Sequence, residues 1–159
     1  MIRRATPDDV SIVLRLVREL AVYEKLEHEV DLDPGRLREA LFGPSPLAFA
    51  WIAEDQGAPV GFALAFLTFS TFRMRACLHL EDLFVLAEHR GRGHGLALLR
   101  EVAAETVRRG GARLQWNVLD WNVSAIGFYE KQGARLLHDW RICRVDGEAL
   151  LAMAAKAGA

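Results

Sequence analysis

The feature that most constrains this chain is a run of alternate glycines where an apolar strand gives way to a helix. Residues 77–85 (Cys-Leu-His-Leu-Glu-Asp-Leu-Phe-Val) predict a strand, and the stretch from His89 to Gly95 follows, with glycine at positions 91, 93 and 95. Helical spacing then resumes at Leu96, Leu99, Val102, Ala103 and Thr106 and stops at Gly110-Gly111. Glycines at such a junction remove side chains from a turn that feeds a helix N-terminus. Backbone N–H groups can then face an anion, and the helix dipole adds to the attraction. Spacing excludes two common phosphate loops. A GxGxxG fingerprint counted from Gly91 ends on Leu96, and no Gly-Lys-Ser/Thr closes a Walker A loop.

The rest of the chain supplies elements for a layered domain. Thr6 caps a helix with Pro7 at its first position, Asp8 and Asp9 in its first turn, and a core stripe at Val10, Val13, Leu14, Val17, Leu20 and Ala21, running to about Tyr23. A second helix starts at Asp33-Pro34 and stops at Gly43. Residues 48–54 and 60–70 read as a hairpin around the turn 55–59, and residues 2–4 can begin a strand. Residues 113–119 predict a further strand, Asn122 caps a helix to Gln132, residues 134–145 look extended, and 148–156 form a short helix. Two helices, a meander and an alternating strand–helix–strand tail predict an α/β (α+β) domain over 1–159. Its sheet is mixed and mostly antiparallel, with one parallel pair.

Composition narrows the class. A chain of 159 residues with 52% hydrophobic and 26% charged residues fits one soluble domain with a real core. The net charge of −1 provides no basic excess for nucleic acid. Cys77 and Cys143 are far apart and read as small buried hydrophobes rather than a redox or metal pair. The five histidines are scattered, and His89 and His94 lie five apart, off a common helix face, so no metal is expected. The N-terminus turns polar at Arg3-Arg4, with no signal-peptide core. No apolar run approaches the ~20 residues of a membrane span, so the cytoplasm is the expected compartment.

Arg90-x-x-Gly93-x-Gly95 resembles the pyrophosphate loop of the GNAT superfamily, (Q/R)-x-x-G-x-(G/A), which cradles coenzyme A. Just upstream, Glu81 and Asp82 interrupt an apolar strand. Alternation places Glu81 with Leu83 and Val85, and Asp82 with Leu80 and Phe84. Adjacent acids there cost stability unless something pairs with them. Two readings stand: an arginine of the sheet neutralises one acid, or a carboxylate beside a coenzyme A loop deprotonates an amine. An alkylammonium, with a pKa of roughly 10, must lose a proton before it attacks a thioester. Tyr129, two turns beyond Asn122, is either a core or rim residue or the acid that protonates a departing thiolate.

Across nearly the whole chain the sequence is similar to the spermidine/spermine (diamine) branch of the superfamily, which includes the thialysine acetyltransferases. The likeness is carried by Ile2-Arg3, Ala5-Thr6, Arg18-Glu19-Leu20-Ala21, Tyr23-Glu24, Leu80 to Val85, Arg90 to Gly95, Trp121-Asn122, Phe128-Tyr129, Gly133-Ala134 and Trp140-Arg141. It implies an N-acetyltransferase that uses acetyl-CoA, with Glu81 as general base through water and Tyr129 as general acid. It further implies that the backbone of Leu83, Phe84 and Val85 pairs with the pantetheine arm. Gly91, Arg92, Gly93, His94, Gly95 and Leu96, after Arg90, would hold the pyrophosphate. Asn122, Val123, Ser124 and Ala125 would line the cofactor, and Tyr23, Glu24 and Asp82 would help bind the amine. Such enzymes are usually homodimers.

The chain departs from that branch in one loop. Polyamine-acetylating members carry an acid and a tryptophan where this sequence has Thr71 and Arg73. Replacing an acid with cations at Arg73 and Arg75 disfavours a long polycation, because like charges in a groove cost several kcal/mol. An amino-acid-like amine such as thialysine, lysine or ornithine is favoured instead. The stretch 134–145 also looks shorter than its counterpart. The rival readings are a non-catalytic acyl-CoA sensor, or an enzyme of the same fold acting on an aminoglycoside or a protein N-terminus.

Overall fold

The chain turns at Thr6-Pro7 as expected, but as a 3-10 turn (Pro7–Asp9) that leads into the first α-helix at Val10, and a buried carboxylate holds this junction. Asp9 accepts hydrogen bonds from the Thr6 N–H and the Thr6 hydroxyl, each at 2.8 Å. It also takes a two-pronged contact from Arg3, with both N···O distances 2.7 Å. Arg3 reaches on to Glu54 at 2.7 Å. One residue therefore ties together β1 (Ile2–Arg4), the start of α1 (Val10–Glu24) and the end of β2 (Ala48–Asp55).

Asp9 is only 4% exposed. The Arg3 hydrogen bonds hold its carboxyl well below the usual carboxylate range. A depressed acid stabilises the fold above its ordinary pKa and loses that contribution as pH falls. Asp9→Ala is expected to cost about 2–3 kcal/mol near neutral pH, somewhat below the full penalty for a broken buried pair because Arg3 can rehydrate. Urea unfolding reads this out, and the deficit should shrink in acid. Equal stability of variant and wild type at pH 7 would refute it.

The computed structural model describes residues 1–157, and its contacts fall into two compact units divided after Asn117. In the first unit α2 (Pro34–Phe42) is capped by Asp33, which accepts from the Gly35 and Arg36 N–H groups at 2.7 and 3.0 Å. β2, β3 (Ala58–Ser70) and β4 (Arg75–Val85) form an antiparallel meander, and β5 (Leu114–Gln115) adds in parallel to give the sheet order β1-β2-β3-β4-β5. One face carries Ile52, Phe62 and Phe84 against Val13 and Leu16 of α1 and Leu41 of α2. α3 (His94–Arg108) packs on β4, β3 and β2 with Leu98, Leu99 and Val102 buried. No described helix is long and apolar enough to cross a membrane.

Two strand expectations are corrected. β4 does not alternate cleanly: Leu64 faces Asp82 but Ala65 faces Leu80, so Glu81 is the extra residue of a β-bulge. Directly opposed residues share a face. Asp82 therefore shares its face with Phe84, opposite Leu64 and Phe62, whereas Leu80 turns to the other side with Ala65. The predicted strand 113–119 shrinks to Leu114–Gln115, which pairs only with Leu78 and His79. The shared ladder stops at His79, two residues before the bulge at Glu81. From Leu80 to Val85, β4 has no β5 partner.

The second unit, from Val118 onward, holds α4 (Val123–Lys131) and α5 (Gly147–Ala154). Asn122 caps α4, its side-chain oxygen accepting from the Ala125 N–H at 3.2 Å. The extended stretch expected at 134–145 forms no strand. Among the described residues the regular elements of this unit are all helices, so no neighbouring strand within it can satisfy a ladder. Trp140 and Ile142 are left 77% and 70% exposed.

Candidate active site

β4 ends at Val85, and a 3-10 turn (Ala87–His89) leads into the glycine loop. Gly91 and Gly93 have φ of +76° and +86°, a conformation that L side chains rarely adopt, so both turns require glycine. The Ala97 N–H bonds Gly93 O at 2.9 Å, which leaves the N–H groups of His94, Gly95 and Leu96 ahead of the helical ladder. Those groups, the helix dipole and the largely exposed Arg92 make a cradle that fits a pyrophosphate. Beside it, the edge of β4 at Leu83, Phe84 and Val85 lacks a strand partner on the β5 side, so its backbone polar groups can pair with an extended ligand.

Arg90 has a more specific place than the sequence suggests. Its Nε donates to Val85 O at 2.9 Å, and its guanidinium lies 4.4 Å from the Tyr23 ring centroid and 5.6 Å from that of Phe84. It braces the loop against the end of α1. The cleft there is lined by Glu19, Tyr23, Phe84, Leu86, Glu88 and Arg90.

The bulge separates the two acids into different environments. The Glu81 side chain is 55% exposed, and His79 Nε2 lies 3.8 Å from its carboxylate. Asp82 is partly buried, and its burial, together with the charges of Glu81 and Glu24, pushes its carboxyl up to about 7. Burial also raises Glu24. Three carboxylates thus share one region beside the loop, and one of them is poised to change charge near neutrality. In the second unit, Tyr129 lies in α4 with its ring 5.2 Å from that of Phe128, and Asn122, Val123, Ser124 and Ala125 form the start of the same helix.

Sequence reasoning missed His79 and the grouping of Asp55 with His89 and His94. His79 sits two residues before Glu81 and stacks on Phe66 with ring centroids 5.1 Å apart; its position in the strand was the available signal. His89 and His94 meet although they are five apart, because His89 lies in the 3-10 turn and only His94 is on α3. Asp55 joins them from the end of β2.

The sequence pattern of the acetyltransferase (GNAT) family matches residues 13–134. A thialysine N-epsilon-acetyltransferase from Bos taurus is 37% identical, over 98% of this chain and 98% of its own length. An L-ornithine N5-acetyltransferase from Arabidopsis thaliana is 29% identical, over 96% of this chain and 86% of its own. Among solved structures, an integron cassette protein from the mobile metagenome of V. cholerae superposes with a TM-score of 0.77 at 25% identity, covering 97% of this chain and 96% of its own. The full-length match to the first relative, the family pattern and the mixed five-stranded sheet agree, and on them the chain belongs to the acetyltransferase (GNAT) family and is an N-acetyltransferase.

Proposed function

We propose that this enzyme moves acetyl from acetyl-CoA to the primary amine of a small, amino-acid-like acceptor by direct attack in a ternary complex. The observation that carries the reading is the group of Glu24, Glu81 and Asp82 beside the glycine loop, with Asp82 poised near 7. Asp82, Glu24 and Tyr23 hold the acceptor's ammonium. Glu81 takes its proton through a water molecule. The free amine attacks the thioester carbonyl, the C–S bond breaks, and Tyr129 gives a proton to the departing thiolate. The glycine loop holds the pyrophosphate, and the free edge of β4 takes the pantetheine arm. No metal takes part in these steps.

The acceptor preference rests on charge. Arg73 and Arg75 lie exposed at the β3–β4 connection and oppose a polycation. The names of the relatives, thialysine and ornithine acetyltransferases, favour the same class. The protein acts as a homodimer on this reading, supported by the apolar side chains of Leu67, Phe69, Phe72 and Met74 exposed around the same connection. The net charge of −1 supplies no basic excess that would favour nucleic acid over a small amine.

Coenzyme A release measured against spermidine, putrescine, thialysine, lysine and ornithine tests the proposal. One of the three amino-acid-like amines should exceed spermidine in kcat/KM by about tenfold or more, since a single unfavourable charge contact is worth that much. Preference for spermidine would refute the acceptor class. Acetyl-CoA binding without turnover of any amine would refute the catalytic reading.

A further inference from the structure

We propose that Asp55, His89 and His94 form a binding site for a divalent transition-metal ion of the zinc type at the foot of the glycine loop. Asp55 Oδ2 lies 3.1 Å from His89 Nδ1 and 3.6 Å from His94 Nε2, and one ligand atom from each residue falls within 4.8 Å of the others. Tetrahedral zinc, with ligand bonds of about 2.0–2.2 Å, keeps its donors roughly 3.4 Å apart. The three side chains therefore need only small adjustments to receive the ion, with a fourth position left for water. Two imidazoles and one carboxylate suit zinc and its neighbours and do not suit magnesium or calcium, which take oxygen ligands.

A second observation points the same way. His94 Nε2 is buried and has no hydrogen-bond partner. An orphaned buried nitrogen costs free energy, and a metal ion at this point would engage it. The competitor is Arg92, whose Nη1 sits 3.1 Å from the same Asp55 oxygen. Its side chain is 58% exposed and can swing into water when an ion arrives.

The three residues come from three segments: the last residue of β2, the 3-10 turn after β4 and the first residue of α3. A bound ion would fasten the glycine loop to the β2–β3 hairpin. It would also set positive charge beneath the N-terminus of α3, favouring a bound pyrophosphate. That consequence rests on the cofactor assignment above, whereas metal binding itself does not.

The test uses the full chain, stripped with chelator and dialysed, then titrated with zinc chloride alone in competition with a chromophoric chelator. One zinc per chain should bind. Asp55→Asn and His89→Gln, which keep side-chain size and polarity, should each weaken binding by at least about tenfold, while Cys143→Ser should leave it intact. Zinc should raise the Tm of the wild type but not of Asp55→Asn. In the wild type, NMR should show two of the five histidine imidazoles shifting with zinc. Absence of a bound equivalent, binding that survives both substitutions, binding lost in Cys143→Ser, or shifts at other histidines would each overturn the proposal.

Discussion

Glu81→Gln is expected to lower kcat/KM for the amine by about 10²–10⁴, the usual worth of a positioned general base, while acetyl-CoA binds within a few-fold of wild type. The substitution keeps the size and the hydrogen-bonding reach of the side chain but removes its capacity to take a proton. Glu81 is the extra residue of the β4 bulge and is 55% exposed, so its loss should leave stability close to wild type. The bulge sets it apart from the ladder and gives it access to water, as a base acting through a water molecule needs. Coenzyme A release gives the rate and calorimetric titration gives the cofactor affinity. A loss of less than about tenfold would remove Glu81 from the role of base and move that role to Asp82, the acid whose carboxyl already sits near 7.

What the sequence reveals about this molecule follows the range of each signal. The turn at Thr6-Pro7, the Asp33 cap, the glycine loop and the α4 cap at Asn122 depend on residues within a few positions, and each appears where local chemistry puts it. The β4 bulge was not legible. Two adjacent acids, Glu81 and Asp82, interrupt the strand in the sequence, but only the pairing with Leu64 and Ala65 reveals which residue is extra. The early end of β5, which stops pairing with β4 two residues before the bulge, was equally illegible. Residues 134–145 carry strand-like composition, but a strand also needs a neighbour, and composition does not supply one. At the site, Glu81 and Asp82 were visible as misplaced acids. Their division into an exposed base and a raised, partly buried acid was not, because it depends on Glu24 arriving from the far end of α1. The Asp55, His89 and His94 group was hidden for the same reason: its members meet only after the end of β2 folds beside the loop.

Asp82→Asn is expected to make the fold more stable and the enzyme worse. A carboxyl raised from its ordinary value to about 7 opposes folding whenever it is charged. Below about pH 4 the group is protonated in both the folded and the unfolded chain and carries no penalty. As pH rises towards 7, the unfolded chain ionises first and wild-type stability falls. Above 7 the penalty is fully present. The size of the rise sets an upper bound of roughly 4 kcal/mol, which partial contact with water reduces. Asparagine keeps the shape and never ionises, so at about pH 8 the variant should unfold at higher urea than wild type, and at about pH 4 the two should coincide. Catalysis should move the other way. An ammonium bound beside Asp82 stabilises the ionised form, so wild-type kcat/KM should fall as pH drops below about 7, and the variant should lose part of that acid limb while its KM for amine rises by about tenfold or more. The strained acid is then the means of binding the cation, and the stability it sacrifices is the measure of its pull on the substrate. Equal urea midpoints at about pH 8 would refute the burial argument; a gain in stability with an unchanged KM would instead show that the amine binds elsewhere.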